Sequence, residues 1–495
     1  MTDKRCAIIG AGLGGLAAAV RLARHGMEVD LYEQQSRAGG KANVLRIDGF
    51  RFDTGPSLLT MPFVLESLFA DVGEDVKDYL TIEPLSEHCT YFYPDGTKIK
   101  AFSKAEDFEE EIESKTADSA ASVKKYLNYS RTIYDLSADL FLFRDIHELS
   151  TFREHGSPRT LLNLWKLDSL RTVHVANSSF FRDPRVIQLF DRYTTYNGSN
   201  PYKAPATLNI IPHVEYNMGS FIVKEGIYSI PHALTELAIK QGVNLQTGTR
   251  VEGIVEEKKR IKGVVVDGEI LPYDVVVSNS DVMKTYQDLL GDETSRQARR
   301  YRRLEPSSSA LIFYWGVDQR AAEPLGVHNI LFSSDYEREF GELFDEKICP
   351  HDPTVYIYIS SRFNPHDAPE GTENWFVMIN APYDDGQDWE EETQMSRKRI
   401  VDKIDALLHT HMEKRIITEG KCTPRDIEEQ TMSRCGSIYG ISSNSRTAAF
   451  MRQRNRSKRY EGLYFCGGSA HPGGGIPLVL LSGKICSDLI KRFEL

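Results

Sequence analysis

"CAIIGAGLGGLAAAVRLARHG", residues 6–26, decides how this chain begins to fold. Residues 6–9 are apolar and short, as a buried strand is, and Gly10, Gly12 and Gly15 come next as GxGxxG where that strand turns into a helix. The three glycines have separate physical tasks: a tight turn, approach of the backbone to a pyrophosphate, and close packing of helix on strand. The helix is built on small residues (Ala17, Ala18, Ala19, Ala23) and stops near Gly26. A second strand, 28–32, runs into Glu33, 18 residues past Gly15, where a carboxylate accepts the ribose hydroxyls of an adenosine. Alone, GxGxxG is a weak signal. Strand, glycines, helix, strand and acid in that order predict a Rossmann dinucleotide site.

The residues just after the acid separate the dinucleotides. "QQSRAGGKANV" (34–44) supplies a second glycine pair, Gly39 and Gly40, and then Lys41. This resembles the signature of two-domain FAD proteins, in which the chain doubles back past the pyrophosphate. As a bare turn signal it implies only a loop before the next strand. No second GxGxxG occurs, so no NAD(P)H site is expected. A flavin here is expected to be reduced by substrate and reoxidised by a separate acceptor, oxygen or a quinone.

At 495 residues the chain exceeds what one core usually serves, so two domains are expected. Hydrophobic residues at 41% and charged residues at 26% are those of a globular protein, and a net charge of -11 argues against nucleic acid as a partner. Seven scattered cysteines without a CxxC pair suggest reduced thiols and no metal site. The first residues lead straight into a strand with no apolar leader, and no apolar run is long enough to span a bilayer. A cytoplasmic protein, peripherally associated with membrane, is the expectation.

Further along, "PYDVVVSNSDV" (272–282) has the continuous apolar run of a strand in a parallel sheet, and "TYFYPDGTKIKAF" (90–102) reads as a hairpin. Residues 104–150 read as charged helix, 223–255 as helix and two strands, and 290–424 as strands followed by a helix near 392–412. The expected architecture is α/β: a discontinuous dinucleotide-binding domain at 1–95, 218–290 and 425–495, with a mixed α+β substrate domain at 96–217 and 291–424. "FCGGSAHPGGGIPLVLLSGK" (465–484) is a second glycine cluster, near the end of the sequence. It sits between a strand expected to join the first sheet and a helix expected to start at Ile476 or Pro477. Such a helix start stabilises negative charge by about 0.3–1 kcal/mol, which suits the pyrimidine edge of a reduced flavin. The late glycines are therefore expected at the flavin ring and the early ones at the diphosphate.

"GGSAHPGGGIPLV" (467–479) resembles the C-terminal signature of the bacterial-type carotenoid desaturases, phytoene desaturase and its relatives. Segments 49–62, 275–282, 327–340 and 352–371 resemble the same family, so the likeness spans nearly the whole chain. It implies a glutathione-reductase-like FAD domain beneath a substrate domain, and removal of two hydrogens from a C–C bond of a long isoprenoid. It also implies FAD contacts at Gly10, Gly12, Leu13, Gly14, Gly15, Glu33, Gln34, Gly40, Lys41, Gly55, Pro56 and Ser57. Val251, meeting the adenine edge with its backbone, and Gly468, Gly475, Ile476 and Pro477 complete that set. The general look of the sequence leans toward 3,4-desaturation of a 1-hydroxycarotenoid. Phytoene desaturation, an amine-oxidase-like activity and a non-enzymatic prenyl-binding escort are the alternatives.

Hydride removal from such a substrate needs placement more than a catalytic triad. His471 is the ionisable residue inside the late signature, with two readings: a proton acceptor, or a structural residue bonding a loop carbonyl. His328 and Arg144 are weaker candidates, and the catalytic proton acceptor is left unassigned. Residues 157–173, with Leu161, Leu164, Trp165 and Leu170 beside Arg159, Lys166 and Arg171, read as an amphipathic helix, lying either on the membrane surface or on the core.

Overall fold

A computed structural model describes residues 4–148, 151, 164–318, 325–445 and 451–495. Its first layer is a five-stranded, wholly parallel sheet in the order Asn244–Thr247, Glu28–Glu33, Arg5–Ile9, Val275–Ser278, Leu463–Phe465. Residues 275–277 and 463–465 are buried, which is why these strands read as unbroken apolar runs. Three widely separated stretches of chain therefore build one sheet. On its face lie the helices Leu13–Arg24, Ser229–Lys240 and Ile476–Glu494.

The first and last of these helices pack at close range because both present small residues. A Cβ on Gly483 would stand 2.5 Å from the Gly14 carbonyl oxygen and 2.9 Å from the Ala17 Cβ. Gly15 cannot be enlarged either, since a Cβ there would collide with the carbonyl oxygen of Gly10. That is the packing task assigned to the third glycine of the motif.

The second layer is a seven-stranded mixed sheet in the order Ile416–Cys422, Ser309–Asp318, Thr372–Ala381, Val355–Tyr358, His328–Leu331, Glu87–Phe92, Lys98–Phe102. The helix Trp389–Leu408 covers one apolar face, with Ile400, Ile404 and Leu408 against Phe313, Trp315 and Val377. Helices Ala105–Lys115 and Ala120–Phe141 and several short turns between 164 and 217 make a third, aromatic-rich core with Tyr126, Phe181, Phe190 and Tyr193.

The hairpin after residue 86 is real, but both its strands belong to the seven-stranded sheet, so a border at 95 divides it; a border ahead of Glu87 keeps it whole. Of the stretch 157–173, residues 157–163 lie outside the described residues. The described part is no continuous helix: one turn at Leu164–Leu167 is followed by Asp168 at φ 51, and a new helix starts only at Val173. Among the described residues no helix is long and apolar enough to cross a membrane.

Candidate active site

The carboxyl ends of the parallel strands open into a cavity of about 1390 Å³ that extends to the second sheet. Pockets for one small ligand run to roughly 300–1,000 Å³, so this one has room for a dinucleotide and a second molecule together. Of the residues expected at the cofactor, Gly10, Gly12, Leu13, Gly14, Glu33, Gln34, Gly40, Lys41, Gly55, Pro56, Ser57, Val251, Gly468, Gly475, Ile476 and Pro477 all line it, as does His471. Gly15 does not. It lies behind the loop, where its packing role puts it.

Both glycine clusters meet at one place. A Cβ on Gly14 would be 2.9 Å from the Gly467 nitrogen and 2.7 Å from Asn279 Oδ1. Asn279, at the end of the Val275–Ser278 strand, also donates from Nδ2 to the Gly10 carbonyl at 3.0 Å. One amide side chain therefore stitches the early loop to the late one, and sequence reasoning missed it. The available signal was its position: a polar residue just past the carboxyl end of a buried parallel strand. Gly475 precedes the Ile476–Glu494 helix with φ 103 and ψ 148, a conformation that L side chains rarely adopt, and apart from its chain neighbours no atom of the described residues lies within 4 Å of where its Cβ would be. The helix start thus faces open cavity.

Glu33 is buried, and each carboxylate oxygen already accepts one backbone hydrogen bond: Oε2 from Ala11 N at 2.8 Å, Oε1 from Gln35 N at 2.9 Å. Burial raises its pKa, and the backbone donors oppose that rise. Each oxygen keeps capacity for a further donor. Lys41 is held across the cavity by the Ser437 and Ile438 carbonyls, both at 2.9 Å, and burial pushes its pKa down to about 8 against the pull of Asp281. Arg452, also unforeseen, donates to the carbonyls of Tyr439, Ile441 and Gly468 and to Asn197 Oδ1, each at 3.0 Å. Its guanidinium is lowered to about 10 by burial.

His471 takes the form of the loop-bonding reading. Its Nε2 lies 2.8 Å from the Arg144 carbonyl, so Nε2 carries the proton and Nδ1 the lone pair. Burial pushes the ring down to about 4, so it is neutral at pH 7. The backbone on both sides is pinned: His471 N donates to the Gln453 carbonyl, and Asn455 Nδ2 and Ser482 Oγ donate to the His471 carbonyl. Arg144 enters through its main chain.

Beyond the glycines the lining turns apolar, with Leu140, Leu142, Ile146, Leu208, Ile211 and Val214. A polar group interrupts it. Arg192 pairs with Glu215 at 3.2 Å, Tyr193 and Tyr196 each donate to Glu215 at 2.6 Å, and His88 and His328 stand in the same wall.

The arrangement is a Rossmann cradle opening on a largely apolar chamber, the layout of a flavoenzyme with a lipophilic substrate. Residues 13–491 match the pattern of the family described as flavin containing amine oxidoreductase, and the chain belongs to that family. Over 487 residues, 98% of this chain and 99% of the other, it is 40% identical to a 1-hydroxycarotenoid 3,4-desaturase of Flavobacterium sp. (strain P99-3). It is 35% identical to a 4,4'-diaponeurosporene oxygenase of Staphylococcus haemolyticus (strain JCSC1435), over 100% of this chain and 98% of that one. The fold is that of cyclohexylamine oxidase from Brevibacterium oxydans IH-35A, with a TM-score of 0.63 over 100% of both chains at 13% identity. The protein is therefore a flavin-containing oxidoreductase of the carotenoid desaturase group. The escort reading falls with that.

Proposed function

We propose that the chain is an FAD-dependent carotenoid desaturase that removes two hydrogens from a C–C single bond of a long isoprenoid and so extends its conjugation. The preferred reaction is 3,4-desaturation of a 1-hydroxycarotenoid. The observation that carries this reading is one continuous cavity, which joins a glycine cradle with a ribose-directed carboxylate to an apolar chamber rich in aliphatic side chains. The 40% identity to the 1-hydroxycarotenoid 3,4-desaturase over both full chains supports the substrate class.

The residues fit FAD. Gly10, Gly12 and Gly14 line the cavity with bare backbone, Glu33 retains acceptor capacity for a ribose, and Gly475 leaves the space before the last helix free of side chain. A bound flavin supplies the hydride acceptor. The chain's own part is to bind the polyene beside that acceptor, exclude water and fix the reacting bond, since positioning is worth several kcal/mol. The proton next to the resulting polyene cation is strongly acidic, so a weak acceptor suffices. We assign His471 a positioning role: through the Arg144 carbonyl it holds the segment carrying Ile146 against the late glycine loop. Hydride and proton together account for the two hydrogens lost. The electrons leave to a separate acceptor, oxygen or quinone, and a water-insoluble substrate implies collection at a membrane surface.

The full-length match to the 4,4'-diaponeurosporene oxygenase supports a second reading, insertion of oxygen into a similar substrate. Expression in cells making defined acyclic carotenoids separates the two. A product lighter by two hydrogens, formed from a 1-hydroxylated precursor, is expected. A product heavier by oxygen supports the second reading, and unchanged carotenoids in cells that accumulate flavin-loaded protein contradict both.

A further inference from the structure

The polar group in the cavity wall contains two histidines that the fold leaves unsatisfied. His88 is 2% exposed, and neither ring nitrogen has a hydrogen-bond partner among the described residues. His328 is 4% exposed; its Nδ1 lies 2.7 Å from the Tyr356 hydroxyl, and its Nε2 has no partner among them. Buried polar atoms without partners are destabilising and rare in native proteins, so a pair of such rings in a ligand cavity needs a reason.

The fold goes out of its way to bring them there. They are 240 residues apart in sequence, yet their strands are neighbours: Glu87–Phe92 and His328–Leu331 run parallel with Asn329 opposite Thr90. Against Lys98–Phe102 the former strand is bulged, with Glu87 opposite Phe102 and Cys89 opposite Ala101, so His88 is the extra residue. Bulges re-aim side chains and recur beside active sites. The charges nearby are not what calls for a ligand. Arg192 and Glu215 neutralise each other, Tyr193 and Tyr196 complete the carboxylate, and Arg192 donates to the Tyr91 hydroxyl.

We propose that His88 and His328 form a subsite for a hydroxyl group of the substrate, next to the flavin-contacting loop. The subsite rests on the flavin-enzyme reading above. A neutral imidazole offers one donor and one acceptor nitrogen, and an alcohol offers one donor and two acceptor positions, so the two match in either tautomer. Burial keeps both rings neutral, taking His328 down to about 3 and His88 downward, with the opposing charges of Glu215 and Arg192 acting on each. An anion or cation would meet no unpaired counter-charge. The place is also right. Ser57, expected at the flavin, is 2.6 Å from the Tyr356 hydroxyl, which is 2.7 Å from His328, so one tyrosine separates the loop from the subsite. A hydroxyl held there stands close to the bond that reacts, as the hydroxyl at carbon 1 does to a 3,4 bond. A plain hydrocarbon end leaves the nitrogens unpaired, and sites built for a hydroxyl reject analogues lacking it.

The test needs no turnover. Flavin-loaded protein in detergent is titrated with an acyclic isoprenoid tertiary alcohol and with the hydrocarbon of the same skeleton, read from the change in flavin absorbance. The alcohol should bind at least about tenfold tighter to the wild type. His88→Leu and His328→Leu should each bring the ratio toward one, and His328→Gln should restore part of it. Flavin content and Tm check folding; among the described residues the His88 ring makes no hydrogen bond to lose, so its variant carries the test should His328→Leu prove unstable. A wild-type ratio near one, or a ratio unchanged in both leucine variants, overturns the subsite. An alcohol preference that these variants abolish, in a protein that desaturates no carotenoid, overturns the proposed function and leaves the subsite standing.

Discussion

Glu33→Ala should strip the protein of its cofactor, and the structure sets the size of the loss. The wild-type carboxylate accepts from Ala11 N at 2.8 Å and Gln35 N at 2.9 Å while buried at the end of its strand. Removing it deletes a charge-assisted bond to the ribose, about 1.5–3 kcal/mol, which is roughly 10- to 150-fold in Kd. It also orphans two backbone donors that order the cofactor loop. Solvation of the new space lowers that penalty toward the bottom of the range of about 1–3 kcal/mol per buried donor. Together these predict FAD binding weakened by roughly 10³-fold, measured by titrating deflavinated protein with FAD. Glu33→Gln should be intermediate, because its amide nitrogen must face one of the two N–H donors. The pH dependence has a definite sign. Burial lifts the Glu33 pKa, so the native apoprotein binds this proton more readily than the unfolded chain does. The group therefore favours folding below its raised pKa, and that contribution fades as pH rises through it. FAD retention runs the other way and should begin to fail, on acidification, above the ordinary glutamate value of about 4.3. An FAD Kd within about threefold of wild type in Glu33→Ala would refute the ribose assignment, since one such bond alone is worth more.

Lys41→Met addresses the opposite shift. The native pKa of about 8 lies below the ordinary lysine value of 10.5, so the protonated lysine costs stability below about pH 8 and the cost disappears as pH climbs toward 10.5. Urea midpoints of the wild type should carry that rising contribution between about pH 8 and 10, and the variant should lack it. Gly475→Val forces a side chain onto φ 103, at about 1–3 kcal/mol of strain, and projects it into the cavity. Its circular dichroism should stay native while flavin content or turnover collapses; wild-type values for both would remove the late glycines from the site. His471→Ala deletes the bond to the Arg144 carbonyl, worth about 1 kcal/mol, and should lower Tm slightly while retaining partial desaturation. Complete loss of turnover with full flavin content would make the histidine the proton acceptor instead.

The parts of this molecule that were readable from sequence are those whose physics is local. Strand, GxGxxG, helix and Glu33 lie within the first 33 residues, with Gly15 enforced by a collision that no other residue survives. The late glycines and the start of the last helix were readable for the same reason. Contacts formed only by the sheet order were not. Asn279 meets Gly10 because the Val275–Ser278 strand inserts beside Arg5–Ile9, a crossover that no local pattern announces. A border at 95 cuts between Glu87–Phe92 and its hairpin partner Lys98–Phe102, and the other partner of Glu87–Phe92, the strand His328–Leu331, lies far along the chain where no local pattern announces it. The polar group of His88, Arg192, Glu215 and His328 draws on three remote segments, and each member alone reads as an ordinary core or surface residue. Arg452 was hidden likewise, since its four acceptors are oxygens on other segments, three of them main-chain.

In the proposed reaction a flavin in this cavity takes hydrogen directly from a carotenoid. Its most direct test is an anaerobic half-reaction: flavin-loaded protein mixed with a 1-hydroxylated acyclic carotenoid in liposomes, with no other electron donor. Flavin bleaching should accompany a carotenoid spectrum shifted to longer wavelength, one new double bond for each flavin reduced. A flavin that stays oxidised in the presence of bound carotenoid, or one that bleaches with no new conjugation, would contradict the account.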